Sequence, residues 1–144
     1  MATTFNIYRD GEQVASDLTD TEYTDEGLTP NTDYQYQVSA QNEAGESDLS
    51  EAITVHTDFS DVESISVSQN AITLTVGDTA TLTASVLPST ANPSVIWSSS
   101  DESIATVDED GVVTAVAEGT ATITAQSSAD DTMSAACDVT VNAE

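Results

Sequence analysis

Gly111-Val112-Val113-Thr114-Ala115-Val116-Ala117-Glu118-Gly119-Thr120-Ala121-Thr122-Ile123-Thr124-Ala125 decides the fold. Two strand-like runs flank Ala117-Glu118-Gly119, which reads as a short turn with glycine where a positive φ is tolerated. In the second run Ala121, Ile123 and Ala125 alternate with Thr120, Thr122 and Thr124, an apolar face backed by a solvated one. Upstream lie Trp97, the run Ile104-Ala105-Thr106-Val107 and the turn Asp108-Glu109-Asp110-Gly111. Residues 97–125 therefore read as a central strand, a short strand and a hairpin.

The rest of the chain agrees. Thr, Ser and Val are plentiful, Gly and Pro mark the joints, and no window keeps a helical period, so the class is all-β. With 144 residues, 38% hydrophobic and only 5% aromatic, the chain holds one domain or two small ones around a thin core of Val, Ile and Ala.

The formal net charge is -25, and Arg9 is the only Lys or Arg. Nucleic-acid phosphates need cationic side chains to displace counterions, so nucleic acid is excluded as a direct partner. An anionic membrane surface repels the chain as well. The acidity serves solubility and repulsion between copies; docking onto a basic surface, or life in high salt or divalent ions, is the alternative. Cys137 is the sole cysteine, which forbids an internal disulfide. It shares one face of a final strand with Met133, Ala135, Val139 and Val141 and reads as a buried apolar residue.

In the first half, Phe5-Asn6-Ile7-Tyr8-Arg9 enters the Asp10-Gly11 turn and Glu12-Gln13-Val14-Ala15-Ser16 leaves it, a hairpin. Thr21-Glu22-Tyr23-Thr24 reads as a short strand. Tyr34, Tyr36, Val38 and Ala40 alternate with polar residues, residues 42–47 read as a loop, and residues 52–57 close the half. These pieces resemble a fibronectin type III domain. The likeness rests on Ile7-Tyr8-Arg9-Asp10-Gly11, on Leu28, Pro30, Thr32, Tyr34, Tyr36, Val38 and Ala40 at alternate positions, and on Asn42, Ala44, Gly45, Glu46 and Ser47. The resemblance implies that Tyr34 is the corner tyrosine, its hydroxyl bonded to nearby backbone. It also implies two missing strands, since a full module begins with two more than residues 1–58 supply.

After a short joint at residues 59–60 the pattern restarts. Ile65 and Val67 alternate, as do Ile72, Leu74 and Val76; Leu82, Ala84 and Val86 face inward from one Thr/Ser-rich strand. Seven or eight strands at sandwich spacing follow from residues 61–144. This half resembles a bacterial immunoglobulin-like domain of group 2, carried by Leu74-x-Val76-Gly77-Asp78-Thr79, Leu82-x-Ala84, Pro88, Trp97-Ser98-Ser99-Ser100-Asp101, Ile104-Ala105-Thr106-Val107, Gly111-x-Val113-x-Ala115 and Glu118-Gly119-Thr120-Ala121-Thr122-Ile123. The resemblance implies a β-sandwich of the kind found on bacterial surface adhesins and bacteriophage virion proteins, and no enzymatic activity. The expected architecture is two tandem immunoglobulin-like modules, the first incomplete, with Trp97, Ile104, Ile123 and Val139 in the core of the second.

Chemistry is sparse. His56 is the only histidine and has no nucleophile paired with it in the pattern, and one His and one Cys in separate halves do not make a zinc site. Asp108-Glu109-Asp110-Gly111 has the composition of a calcium loop but lacks its distal ligands, so a hairpin turn is expected. No catalytic residue, metal or cofactor is expected. The expected function is that of a virion accessory protein, a capsid decoration or head-fibre protein. Its partners would be other virion proteins of capsid or tail, copies of itself and host cell-surface carbohydrate. Residues 1–5 show no signal-peptide pattern, which fits assembly in the host cytoplasm and work on the virion surface. The alternatives are a phage tail protein, or a piece of a bacterial cell-surface adhesin or carbohydrate-binding protein. Phe5, Ile7, Tyr36, Val38, Ile53 and Val55 are the expected docking face of the first half, left bare by the missing strands, with the second half projecting outward; the alternative is that the half folds alone, with residues 21–28 and side-chain rearrangement covering that face.

Overall fold

The computed structural model describes residues 2–144, and these form strands and turns with no helix. The chain divides into two compact units, the first ending at Phe59 and the second running from Ser60 to Glu144.

The first unit is a single antiparallel sheet. It contains β1 (Thr4–Arg9), β2 (Glu12–Leu18), β3 (Asp33–Asn42), β4 (Gly45–Glu46) and β5 (Ile53–His56). The strand order is β2-β1-β3-β4, with β5 also on β3. Asp10 and Gly11, at φ 52° and 85°, form the two-residue connection between β1 and β2. The register opposes Phe5 to Ala40, Ile7 to Val38 and Arg9 to Tyr36, and on the other side of β3 opposes Tyr36 to Ile53 and Tyr34 to Val55. Because side chains alternate across a strand, all of these share one face. The opposite face is polar. There Asn6 Nδ2 donates to Glu46 Oε1 at 2.8 Å and to Gln41 Oε1 at 3.2 Å, and the Tyr8 hydroxyl donates to Glu46 Oε1 at 2.7 Å.

Two sequence expectations fail here. Residues 21–24 form no strand, because no strand of the unit lies beside them to supply a ladder. The loop expected at residues 42–47 contains β4, whose Gly45 and Glu46 pair with Asn42 and Gln41.

The second unit comprises β6 (Ser64–Val67), β7 (Ala71–Thr75), β8 (Thr79–Thr81), β9 (Ala84–Leu87), β10 (Val95–Ser99), β11 (Ala105–Val107), β12 (Val112–Ala115), β13 (Gly119–Ser127) and β14 (Ser134–Asn142). One sheet is β10-β13-β14-β7, with β7 parallel to β14; another is β11-β12-β8; β6 and β9 pair separately. The core lies between the first two. Leu82, Ala105, Val113 and Ala115 meet Ala121, Ile123, Cys137, Val139 and Val141, and Trp97 and Ile104 pack against them partly buried.

The opening stretch is not a hairpin. β12 pairs with β11 and β8, whereas β13 pairs with β10 and β14, so residues 116–118 carry the chain from one sheet to the other. The alternation in both runs is real, but it serves two facing sheets. Gly119 sits at the crossing because the Ile104 side chain packs against it. A Cβ there would lie 2.8 Å from Ile104 Cδ1. The true hairpin is one turn earlier, β11 to β12 across residues 108–111. Nor is the run from Leu82 to Val86 one strand. The chain leaves the β8 sheet at Leu82, whose N–H donates to the Gly111 carbonyl at 2.9 Å, and resumes as β9 beside β6. That break takes the unit to nine strands rather than seven or eight.

Candidate functional site

The two units differ most in what they bury. Every fully buried apolar residue among the described residues belongs to the second unit, whereas the buried residues of the first are Asn6 and Ser39. The apolar face of the first unit is only partly covered. Val38 is 38%, Val55 43% and Ile53 61% exposed, while Phe5, Ile7 and Tyr36 are half-buried. Five of these six residues, Phe5 excepted, line a groove of about 680 Å³ together with Tyr23 and Leu28. A second groove of about 310 Å³ adds Phe5 and Leu18 and shares Ile7, Tyr23 and Val38.

One charged constellation stands at the groove. Asp25 Oδ2 accepts from Arg9 Nη1 at 2.8 Å and from the Tyr36 hydroxyl at 2.7 Å. The bond from Tyr36, and then the Arg9 charge, hold the Asp25 carboxyl below its usual range. Burial, and then the bond to Asp25, push the Tyr36 phenol up to about 12. The sequence offers residues 21–28, which include Tyr23 and Leu28, as a cover for this face, but it does not single out Asp25. The available signal was Arg9: a lone cation in an apolar alternation needs a partner, and Asp25 supplies it. Tyr34 lies at the corner, where the Thr29 N–H donates to its hydroxyl at 3.0 Å and the Arg9 guanidinium lies 5.6 Å from its ring centre.

The remaining polar candidates are occupied within their own turns. Asp108 Oδ1 accepts the N–H groups of Asp110 and Val112, Asp101 Oδ1 that of Ser103, and Asp130 Oδ1 that of Thr132. No group of three or more His, Cys, Asp or Glu among the described residues is placed to hold a metal ion. His56 is exposed, with Nδ1 2.6 Å from Asp33 Oδ1 and Nε2 3.1 Å from Asn31 Oδ1. The Cys137 thiol is buried, and that burial, followed by the neighbouring Asp138, raises its pKa, which keeps it a thiol. No helix of the described residues is long and apolar enough to cross a membrane.

A sandwich of this topology, preceded by a fibronectin-like sheet, defines a protein of immunoglobulin-like modules. Residues 61–139 match the bacterial Ig-like domain (group 2) family, to which the chain belongs, and residues 3–56 match the fibronectin type III domain. Domains of these kinds are structural and adhesive modules.

Among solved structures, domains 1–6 of the surface layer protein SbsC are similar at 23% identity and a TM-score of 0.52, over 99% of this chain and 20% of that one. Drosophila N-cadherin EC1–4 is similar at 14% identity and a TM-score of 0.52, over 99% and 41%. Immunoglobulin domains 1–5 of Sidekick-1 give 13% and 0.51, over 99% and 32%. The chain spans less than half the length of each, and the likeness is one of fold. Curated proteins give no match.

Proposed function

We propose that the chain is a non-enzymatic structural accessory protein that docks through its first unit, residues 1–58, onto a larger assembled surface. The second unit, residues 61–144, is then left free for contacts of its own. The observation that carries this is the exposed apolar patch of Val38, Ile53 and Val55, continuous with half-buried Ile7, on an otherwise acidic chain. A contiguous apolar patch rimmed by polar groups is the surface form of an interaction site. Copies of net charge -25 repel one another in solution, so the face is best satisfied by a less acidic surface repeated many times. A bacteriophage virion is such a surface. We assign the chain to the capsid as a decoration or head-fibre protein, with host cell-surface carbohydrate as the contact of the Ig-like unit.

A second reading, a module of a bacterial cell-surface adhesin, draws on the family of the second unit. Immunogold microscopy of particles and of uninfected cells from the source distinguishes them. Regular labelling of capsids is expected; labelling of cell envelopes without particles overturns the virion reading, and labelling of tails moves the site.

A further inference from the structure

Residues 19–28 lie along this apolar face without a partner. They fall outside every strand, and among the described residues none of their backbone groups bonds to another backbone group. Yet the segment is tethered. Asp25 is held by Arg9 and Tyr36, and Tyr23 and Leu28 line the groove. Residues 21–24 are exposed, Thr21, Glu22 and Tyr23 border the second groove, and the backbone N–H and C=O groups of the four have no backbone partner among the described residues. Backbone groups in that position are satisfied by an added strand and not by a helix, whose own groups are already paired.

We propose that the first unit takes up an extended segment of a partner protein, apolar at alternate positions and flanked by Lys or Arg, by β-addition to residues 21–24. Its apolar side chains lie on Ile7, Val38 and Ile53. This rests on the docking reading above and specifies how the docking is made.

Charge selects the occupant. Asp20, Glu22 and Glu51 line the two grooves, and Arg9 is already paired with Asp25. A basic flank meets those carboxylates. A second copy of this chain has no lysine to offer and brings its own charge of -25. An anionic lipid surface is repelled on the same ground.

The test uses the full chain and a short peptide of alternating Val and Thr with two lysines at each end. Controls carry Glu in place of Lys, or N-methyl groups on alternate residues of one edge. Calorimetry reads binding and hydrogen exchange reads amide protection. The Lys-flanked peptide is expected to bind and to slow exchange at residues 21–24 by about tenfold or more. The Glu-flanked and N-methylated peptides are each expected to bind about tenfold more weakly.

Ile53→Asp removes binding, whereas Leu87→Asp, at an exposed apolar site of the second unit, leaves it unchanged. No binding, equal binding of the Glu-flanked peptide, or binding without protection at residues 21–24 overturns the proposal. Association of the variants with purified particles separates the two layers of the argument. If Ile53→Asp abolishes association while wild-type chain on particles shows no protection at residues 21–24, docking stands and strand addition falls. If Ile53→Asp associates normally, the docking reading itself falls.

Discussion

Trp97 closes over Gly111: a Cβ on Gly111 would sit 3.0 Å from Cζ2 of the indole and would collide with the Leu82 carbonyl oxygen. Leu82 is the point where the chain leaves one sheet for another, and its N–H bonds to the Gly111 carbonyl. The glycine, the indole and the break in the strand therefore form one joint.

Gly111→Ala is expected to destabilise the second unit by about 3 kcal/mol or more, combining a strained positive φ with overpacking. Gly77 has a similar φ of 92° against 80° but nothing within 4 Å of a Cβ. Gly77→Ala is expected to cost only the strain, about 1–2 kcal/mol. Trp97 is partly buried, so Trp97→Ala falls near the lower end of the large-to-small range, about 3 kcal/mol. Denaturant melts of the three variants check the order; equal losses at Gly77 and Gly111 would refute the packing argument.

The uneven burial predicts uneven stability. The second unit holds the apolar core, and the first is held by its ladders and by the polar cluster around Glu46. Residues 61–144 expressed alone are expected to melt cooperatively. In the whole chain, amides of Ile7, Tyr36 and Val38 are expected to exchange at least about tenfold faster than those of Ile123 and Val139. Comparable protection in a free monomer would show that the sheet needs no further cover.

Strand alternation made most of this fold legible. Ile123 and Val139 read as core because each lies on the apolar side of a long alternating run. Sheet membership was not legible. Whether residues 116–118 turn back or cross over depends on the partners of β12 and β13, and local sequence carries no record of them. Residues 21–24 illustrate the same limit from the other direction: Thr and Tyr favour a strand, but a strand also requires a neighbour. The apolar residues of the candidate face were visible by period. Asp25 was not, because its role comes from side-chain bonds between a segment outside the strands and Arg9 and Tyr36 of the sheet.

The acidic turns yield a third prediction. Asp101, Asp108 and Asp130 each spend a carboxylate oxygen on backbone N–H groups of their own turn. Thermal melts in calcium and in chelator are expected to superimpose. A shift of many degrees would reveal an ion held jointly by these loops.

The last prediction concerns Asp25 and Tyr36, which share a hydrogen bond and are shifted in opposite directions. The Tyr36 phenol is raised to about 12 from the ordinary 10.0, chiefly by burial and then by Asp25. The folded state therefore keeps a proton that the unfolded state releases. Its contribution is full below pH 10.0 and is lost as pH rises toward 12. The Asp25 carboxyl is lowered from 3.8, first by the Tyr36 bond and then by Arg9. Here the unfolded state binds the proton more readily, so the contribution is present above pH 3.8 and is lost as pH falls below it. The first unit should loosen at both limits, and the second is affected on the acid side too, where Asp101 and Asp130 lose their bonds to Ser103 and Thr132. Ultraviolet titration is expected to show a late phenol, raised to about 12, that disappears in Tyr36→Phe, while the Tyr8 phenol, raised by its bond to Glu46, stays. In Asp25→Asn the Tyr36 phenol should titrate earlier, and the acid-side loosening of the first unit should shrink. An unchanged Tyr36 phenol in Asp25→Asn would show that burial alone sets its proton affinity.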